Sequence, residues 1–202
     1  AGVRQIDSWH YRQRILSFFG RVNYDYKSKY LLSLVLRRDG YSKLPKDNRW
    51  GTFPGISAGW VLSRENFMES CSNVLSYAKI RASYGANGNV SGVLDANGNV
   101  VTGLDYYTVQ GSYGIMKDKD GKIVPNYNGK VPLMINDLPN PTMRWEKSYT
   151  FETGFDIGFL NNKYILNFTY YNRHTQDKFA EITLPSHSGV SSFLSNNGEV
   201  QN

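Results

Sequence analysis

The sequence predicts an all-β fold, an antiparallel meander of about six to seven long strands that forms part of the wall of a membrane-spanning β-barrel. Three observations support this prediction. Several segments alternate apolar and polar residues over about ten positions, whereas strands of soluble proteins average about six residues. Tight turns and long loops alternate along the chain, as they do in such barrels. Aromatic residues form 14% of the chain, and many lie near the ends of apolar registers, where membrane barrels carry aromatic girdles.

The first two strands form a predicted hairpin. Residues 16–26 place apolar side chains and one glycine in one register, and the opposite register includes Arg21 and Asn23. A tight turn at 27–29 leads to residues 30–36, where a tyrosine and three leucines share one face. This longest apolar run is far shorter than the roughly 20 residues of a membrane-spanning helix, so no helix is expected to span a bilayer.

Four more strands follow the same two-residue period. They are predicted at residues 52–62, 77–87, 145–159 and 164–173. The segment 52–62 is the weakest, because Pro54 suits only the beginning of a strand. The segment 145–159 has the sharpest pattern, since Trp145 and five other apolar residues share one register and Glu152 lies in the other.

The connections between these strands differ in length at the two ends of the predicted sheet. Tight turns are expected at 27–29 and 160–163, whereas 41–50 and 88–142 are long and rich in Gly, Asn, Asp and Pro. The exception is 63–76, a longer connection on the short-turn side that we expect to contain a single helical turn. In membrane barrels the short turns are periplasmic and the long loops extracellular.

The insertion at 88–142 is expected to be a folded loop with hairpins. It contains two Asp-rich turn signals, at 95–98 and 118–121, between short β-prone runs. Neither segment is a complete calcium-binding loop, since each lacks the first-position acid and the closing Glu. Turn chemistry is therefore the preferred interpretation.

Composition and spacing argue against catalytic, metal and nucleic-acid sites. The formal net charge is +6, but Lys and Arg are scattered singly and form no basic block. Cys71 is the one cysteine, and His10, His174 and His187 lie far apart without metal-ligand spacing. No motif of a phosphate-binding loop, dinucleotide site or nucleophile elbow occurs. We predict no catalytic residue, no metal site and no cofactor.

Two groups of polar residues have alternative interpretations. Glu146, Glu152 and Asp156 share one strand face, as a glycosidase acid pair would, but in a barrel this face is simply the wet lumen. Arg49 and Trp50 lie in a polar loop, where they could contact a carbohydrate or peptide through the indole face and the guanidinium group. The structural alternative is a loop anchored by an interfacial Trp and an Arg/Asp pair.

Eight segments carry a family resemblance. They are S-F-F-G-R-V-N-Y-D-Y (17–26), R-R-D-G (37–40), D-N-R-W-G-T-F-P (47–54), S-A-G-W (57–60), K-I-R-A-S-Y-G (79–85), N-P-T-M-R-W-E (140–146), Y-Y-N-R (170–173) and N-G-E-V (197–200). In this order and spacing they closely resemble the barrel of SusC/RagA-type TonB-linked outer-membrane proteins of Bacteroidetes.

The resemblance implies a roughly 22-stranded transmembrane barrel with a plug, located in the outer membrane. It also implies a SusD-like surface lipoprotein as partner, energy from the TonB complex, contact with membrane lipid, and oligosaccharides or peptides as cargo. Residues 1–202 would be a partial barrel domain from the C-terminal half, with the plug domain and the TonB box outside it. Candidate lumen or loop contacts to cargo are Arg21, Asn23, Arg37, Arg49, Trp50, Lys79, Arg81 and Glu152.

The competing hypothesis is a soluble β-sandwich that binds glycans. A sandwich would bury the apolar registers of its strands against each other, whereas a barrel wall would leave them exposed. Phe18, Leu34, Tyr149 and Phe168 therefore discriminate between the two. An enzyme is a more distant third alternative.

Overall fold

A computed structural model describes residues 12–71, 73–94, 100–102, 104, 108–124, 128, 130 and 132–202. The strands are β1 (Ile15–Tyr26), β2 (Tyr30–Tyr41), β3 (Trp50–Val61), β4 (Leu75–Asn89), β5 (Val93–Leu94), β6 (Val100–Thr102), β7 (Ser112–Ile115), β8 (Leu133–Asp137), β9 (Glu146–Phe159), β10 (Tyr164–Thr183) and β11 (Ser192–Gln201). Seven of them form one antiparallel sheet in the order β1-β2-β3-β4-β9-β10-β11. The sheet is open, with β1 and β11 as its edges. The predicted all-β meander of six to seven strands is confirmed.

The register of the sheet follows its apolar face. Val22 pairs with Leu34, Leu34 with Ile56, Ile56 with Tyr84, and Tyr84 with Phe151. This continuous apolar row crosses five strands. Because side chains alternate between the two faces, a shift of one residue in any strand would move its apolar set to the polar face, so the pattern fixes the pairing.

The two ends of the sheet differ in their connections. We call the end with connections 27–29, 62–74 and 160–163 the turn end, and the opposite end the loop end. The tight turns use left-handed backbone conformations, with φ of 53° at Lys27 and 55° at Ser28. The predicted helical turn within 63–76 is present as two 3-10 helices, Leu62–Arg64 and Asn66–Cys71. No helix among the described residues has the length and apolarity to cross a membrane.

The insertion between β4 and β9 carries two hairpins, as predicted. β5 pairs with β6 and β7 pairs with β8. The 118–121 segment is a turn in which the Asp118 side chain accepts hydrogen bonds from the backbone N–H groups of Asp120 and Lys122, at 2.9 and 2.8 Å. The turn signal predicted at 95–98 lies outside the described residues.

A small apolar core lies at the loop end, not along the sheet. It is formed by Tyr41, Leu44, Phe53, Ala86, Leu104, Met143, Trp145, Phe179 and Leu194. Trp145, expected in the apolar register of the strand at 145–159, precedes β9 and is buried in this core. The Trp145 ring packs edge-on against Phe53 at 5.5 Å, and its Nε1 donates to the Arg49 carbonyl at 2.9 Å. A buried indole N–H needs such an acceptor, and the core supplies one.

Candidate functional site

One face of the sheet is apolar and exposed. Phe18, Leu34 and Phe168 are 59%, 44% and 52% exposed, respectively. Tyr149 is half-buried, because it packs against the loop-end core. The described structure therefore lacks the packed second layer that a sandwich would place on this face, and the exposed face instead has the character of a lipid-facing barrel wall.

Aromatic rings border this apolar face at both ends. At the turn end the rings of Tyr26 and Tyr30 stack at 6.4 Å, and those of Tyr30 and Trp60 at 6.3 Å. At the loop end Phe18 and Trp50 stack at 6.1 Å. Tyr and Trp favour such boundaries because one end of the side chain is apolar and the other is wet.

Trp50 lies on the apolar face and not on the polar one. It is opposite Gly40 in the β2–β3 pairing, and the Arg38 guanidinium carbon lies 5.5 Å from its ring centroid. This placement favours the interpretation of Trp50 as an interfacial anchor. The Arg/Asp pair of that interpretation is present as Arg37 and Asp39, with 2.6 Å between Arg37 Nη2 and Asp39 Oδ2.

The opposite face is polar and carries most of the predicted contact residues. Asn23, Lys79, Arg81 and Glu152 line one shallow cavity of about 520 Å³. Arg21 and Glu152 line the depression beside it. These side chains come from strands that are far apart in sequence, so the sheet gathers five of the eight predicted residues on one surface.

Arg81 lies flat across the neighbouring strand. Its Nη2 donates to Thr169 Oγ1 on β10 at 2.5 Å, and its Nε lies 3.5 Å from Asp156 Oδ2 on β9. Gly154 lies between Arg81 and Thr169 in the register, and a Cβ there would be 3.3 Å from Arg81 Nη2. The missing side chain at Gly154 thus leaves space for the guanidinium group to reach two strands.

Lys79 uses a second glycine in a similar way. A Cβ at Gly59 would lie 3.1 Å from Lys79 Cε, so the lysine stem runs over the β3 backbone. Neither Lys79 nor Glu152 forms a side-chain hydrogen bond or ion pair within the described part of the chain. Their charged groups therefore remain open to a ligand.

The remaining predicted residues other than Trp50 lie near the loop end. Arg37 is paired with Asp39, whose side chain is completely buried, and therefore has a structural partner. The Arg49 carbonyl accepts hydrogen bonds from Trp145 and from the Tyr41 backbone N–H. Arg37 borders a depression shared with Arg21, whereas Arg49 lines none of the polar-face depressions described above.

The expectation that Glu146 faces the wet lumen was wrong, and sequence patterns missed its role, which is to join two strand ends. Glu146 is buried, and its Oε1 accepts from the Phe179 backbone N–H and its Oε2 from Asn89 Nδ2, both at 2.6 Å. The link to Asn89 could be anticipated from the pairing of β4 with β9. The link to Phe179 could not, because register shifts between Thr175 and Ala180 determine where this N–H points.

A second missed carboxylate lies at the turn end. Glu65 accepts hydrogen bonds from Lys29 Nζ at 3.1 Å, Tyr30 Oη at 2.8 Å and Trp60 Nε1 at 3.1 Å. The donors from Trp60, Tyr30 and Lys29, in that order of importance, lower the pKa of Glu65 from its ordinary value. Glu65 therefore ties the connection at 62–74 to the first hairpin.

The described residues hold no group of three or more His, Cys, Asp or Glu side chains that could bind a metal ion. Cys71 is exposed and forms no disulfide. His174 is engaged by Glu199, with 2.5 Å between Nε2 and Oε1. The chemistry of the polar face is thus that of hydrogen bonding and charge.

Comparison with known proteins gives a consistent result. The family described as TonB dependent receptor-like, beta-barrel, matches residues 3–202. TonB-dependent receptor P3 of Formosa agariphila is 35% identical over 202 residues, which cover 100% of this chain and 18% of the relative. TonB-dependent receptor SusC of Bacteroides thetaiotaomicron is 32% identical over 203 residues, which cover 100% of this chain and 19% of the relative.

Solved structures share the fold. The RagAB peptide transporter superposes with a TM-score of 0.74 at 25% identity, covering 94% of this chain and 19% of that one. The siderophore receptor PirA from Pseudomonas aeruginosa superposes with a TM-score of 0.54 at 15% identity, over 94% of this chain and 29% of that one. The chain spans about a fifth of the length of P3, SusC and the RagAB chain.

Proposed function

Because this chain belongs to the TonB-dependent receptor β-barrel family, we propose that it forms part of the wall of an outer-membrane nutrient importer. The observation that supports this proposal best is the division of one open sheet into an exposed apolar face and a polar face lined by Lys79, Arg81 and Glu152. A wall between lipid and a wet lumen needs this division.

We infer that the cargo is an oligosaccharide or a peptide. The RagAB structures are those of a peptide transporter and importer. The SusC relative is a TonB-dependent receptor of the same family as this chain. A SusD-like surface lipoprotein is the proposed partner at the loop end, and the TonB complex is the proposed energy source. Both cargo classes carry hydroxyl, amide or charged groups that hydrogen-bond to a polar wall.

On the polar face, Lys79 and Glu152 are the proposed direct contacts. They present one cation and one carboxylate, which suits hydrogen bonds to sugar hydroxyls or to the two ends of a peptide. Asn23 and Arg21, both exposed, extend the same surface. Arg81 contributes charge from a position fixed by Asp156 and Thr169.

Arg37, Arg49 and Trp50 have a different proposed role. Each lies near the loop end, and each is held by the residues of that end: Arg37 by Asp39, Arg49 through its carbonyl, and Trp50 by Phe18. We propose that these three residues support the loop at 42–49 and do not contact cargo directly.

Uptake by the full-length receptor tests the proposal. The receptor is restored to a deletion strain, its presence in the outer-membrane fraction is verified, and uptake of fluorescent oligosaccharides and oligopeptides is measured. Lys79→Gln and Glu152→Gln are each expected to lower uptake of the true cargo about tenfold, as loss of a hydrogen bond to a charged group would. Lys163→Gln, at the 160–163 turn, is the matched control and should leave uptake unchanged.

Three outcomes would contradict this function: absence of the receptor from the outer membrane, failure of the wild type to import either class, or equal uptake by all variants. If the wild type imports oligosaccharides but not oligopeptides, or the reverse, the imported class is the cargo. The relatives are receptors and transporters, and we propose transport without catalysis for this chain; hydrolysis of the imported molecule by purified receptor would overturn that part.

A further inference from the structure

Arg38 is a cation in the apolar register of β2, near the loop end of the strand. Along this strand Tyr30, Leu32, Leu34 and Leu36 all point to the exposed apolar side, and Arg38 is the next residue in that register. Its pairing partners there are apolar or uncharged. A cation within the hydrocarbon region of a bilayer is costly, so Arg38 has to lie at the edge of the membrane.

The length of the strand places that edge. Tyr30 belongs to the aromatic border of the turn end, and Arg38 lies eight residues further along β2. Eight steps of about 3.3 Å in a strand tilted by about 40° give a height of about 20 Å. The apolar band of membrane barrels is about 25 Å tall, and a long Arg side chain spans the difference. Arg38 thus reaches the headgroups of the leaflet at the loop end.

Arg38 is held in place but lacks an anionic partner. Its guanidinium carbon lies 5.5 Å from the Trp50 ring centroid, and the Trp50 ring stacks on Phe18 at 6.1 Å. No carboxylate or other side chain in the described part of the chain forms a hydrogen bond or ion pair with it. Its neighbour Arg37, on the polar face, is by contrast neutralised by Asp39.

A second cation lies beyond this position. The backbone of Arg14 is joined to Ser42 by two hydrogen bonds of 3.0 Å, which places Arg14 just past the end of the first hairpin. Its side chain is exposed. The loop-end border of the apolar face therefore combines two aromatic rings with two arginines, a composition complementary to an anionic headgroup layer.

We propose that Arg38, supported by Trp50 and Phe18, binds the phosphate group of a lipid headgroup in the outer leaflet of the membrane. The planar guanidinium matches the geometry of phosphate oxygens and forms two parallel hydrogen bonds to them. Stacking on Trp50 keeps the group oriented before the lipid arrives. The inference rests on the proposed placement of this wall in the outer membrane, but not on import, because the site lies on the face opposite the cargo surface.

Native mass spectrometry of the full-length receptor in detergent tests this assignment. The probes are diphosphorylated lipid A and the same lipid A after removal of its phosphates. Arg38→Gln is expected to weaken binding of the phosphorylated form about tenfold, as loss of a charge-assisted hydrogen bond would. Trp50→Ala should weaken it about threefold through loss of the cation–π contact. Lys163→Gln, a cation beside Tyr164 at the turn end, is the matched control.

Removing the phosphates from the lipid should weaken binding to the wild type at least as much as Arg38→Gln weakens binding of the phosphorylated lipid. Stronger binding of the dephosphorylated lipid to the wild type would contradict the proposal. Equal binding of the phosphorylated lipid to wild type and to Arg38→Gln would overturn it. Displacement of the lipid by an equal concentration of inorganic phosphate would show a site for a free anion and would overturn the lipid assignment. Uptake by wild type is measured in parallel, because its absence would contradict the transport proposal alone and leave the lipid result standing.

Discussion

Replacing Glu146 by glutamine changes one oxygen of a buried carboxylate into an NH2 group and leaves the size of the side chain unchanged. In the wild type both oxygens accept hydrogen bonds, from Phe179 on β10 and from Asn89 on β4. Glutamine offers only one acceptor, so one of these donors then faces another donor. Asn89 cannot simply rotate its amide, because its oxygen already accepts from Ser91.

The magnitude follows from burial. Glu146 is 4% exposed and its hydrogen bond from Phe179 is buried, so water cannot replace an acceptor lost at Phe179 without opening the structure, whereas Asn89 is exposed. A buried donor left without a partner costs about 1–3 kcal/mol, and each 1.4 kcal/mol is a factor of about ten in an equilibrium constant. Local opening at the Phe179 N–H is therefore expected to become about fivefold to 150-fold more frequent.

Hydrogen exchange of the full-length receptor in micelles measures this opening. Peptides that contain Phe179 or Asn89 should exchange faster in Glu146→Gln by the stated factor, while peptides from β1 and β2 should not change. Glu152→Gln is the matched control, because it makes the same change on the same strand and face without a hydrogen-bonded partner in the described chain. Exchange at Phe179 that is equal in wild type and Glu146→Gln would refute the reasoning.

Two further predictions concern the turn end and the wall. Hydrogen bonds from Trp60 and two other donors lower the pKa of Glu65 in the folded chain. The stabilising contribution of the Glu65 carboxylate is therefore complete above the pKa that Glu65 has in the unfolded chain, and it is lost as pH falls through the lowered pKa of the folded chain. Proteolysis at 62–74 should therefore rise in that acidic range, and a similar rise in Glu65→Gln would contradict the assignment. In Gly154→Ala, the new Cβ overlaps the Phe168 carbonyl oxygen, which should cost about 1–3 kcal/mol in denaturant unfolding. Gly20→Ala, with no atom within 4 Å of its Cβ, should cost much less.

Alternation predicted the strands where one face is uniformly apolar. β1, β2 and β9 were found in this way, because lipid contact requires apolar side chains at every second position. β11 was not found, because Ser192–Gln201 mixes apolar and polar residues in both registers. The last part of β10 was missed because register shifts between Thr175 and Ala180, with a left-handed backbone at Asp177, break the period.

The regularity of the strands also decides which residues of the candidate site could be predicted. Residues inside regular strands, such as Lys79, Arg81 and Glu152, could be assigned to the polar face by counting positions. Trp50 could not, because its face depends on where β3 begins, and the predicted start at 52 left it in a loop. An Arg/Asp pair was expected in this region, but its members, Arg37 and Asp39, could not be chosen from the sequence, since two residues on one strand face can bond to each other or to a neighbouring strand.

The direct pairing of Asn89 with Glu146 closes the sheet across the base of the long insertion. The chain leaves the sheet and returns at adjacent positions, so the wall closes whatever lies between them. Loop-closure entropy grows only slowly with length. An insertion of different length can therefore be accommodated between these two residues, provided that it keeps apolar side chains in the places of Leu104 and Met143, which fill the loop-end core.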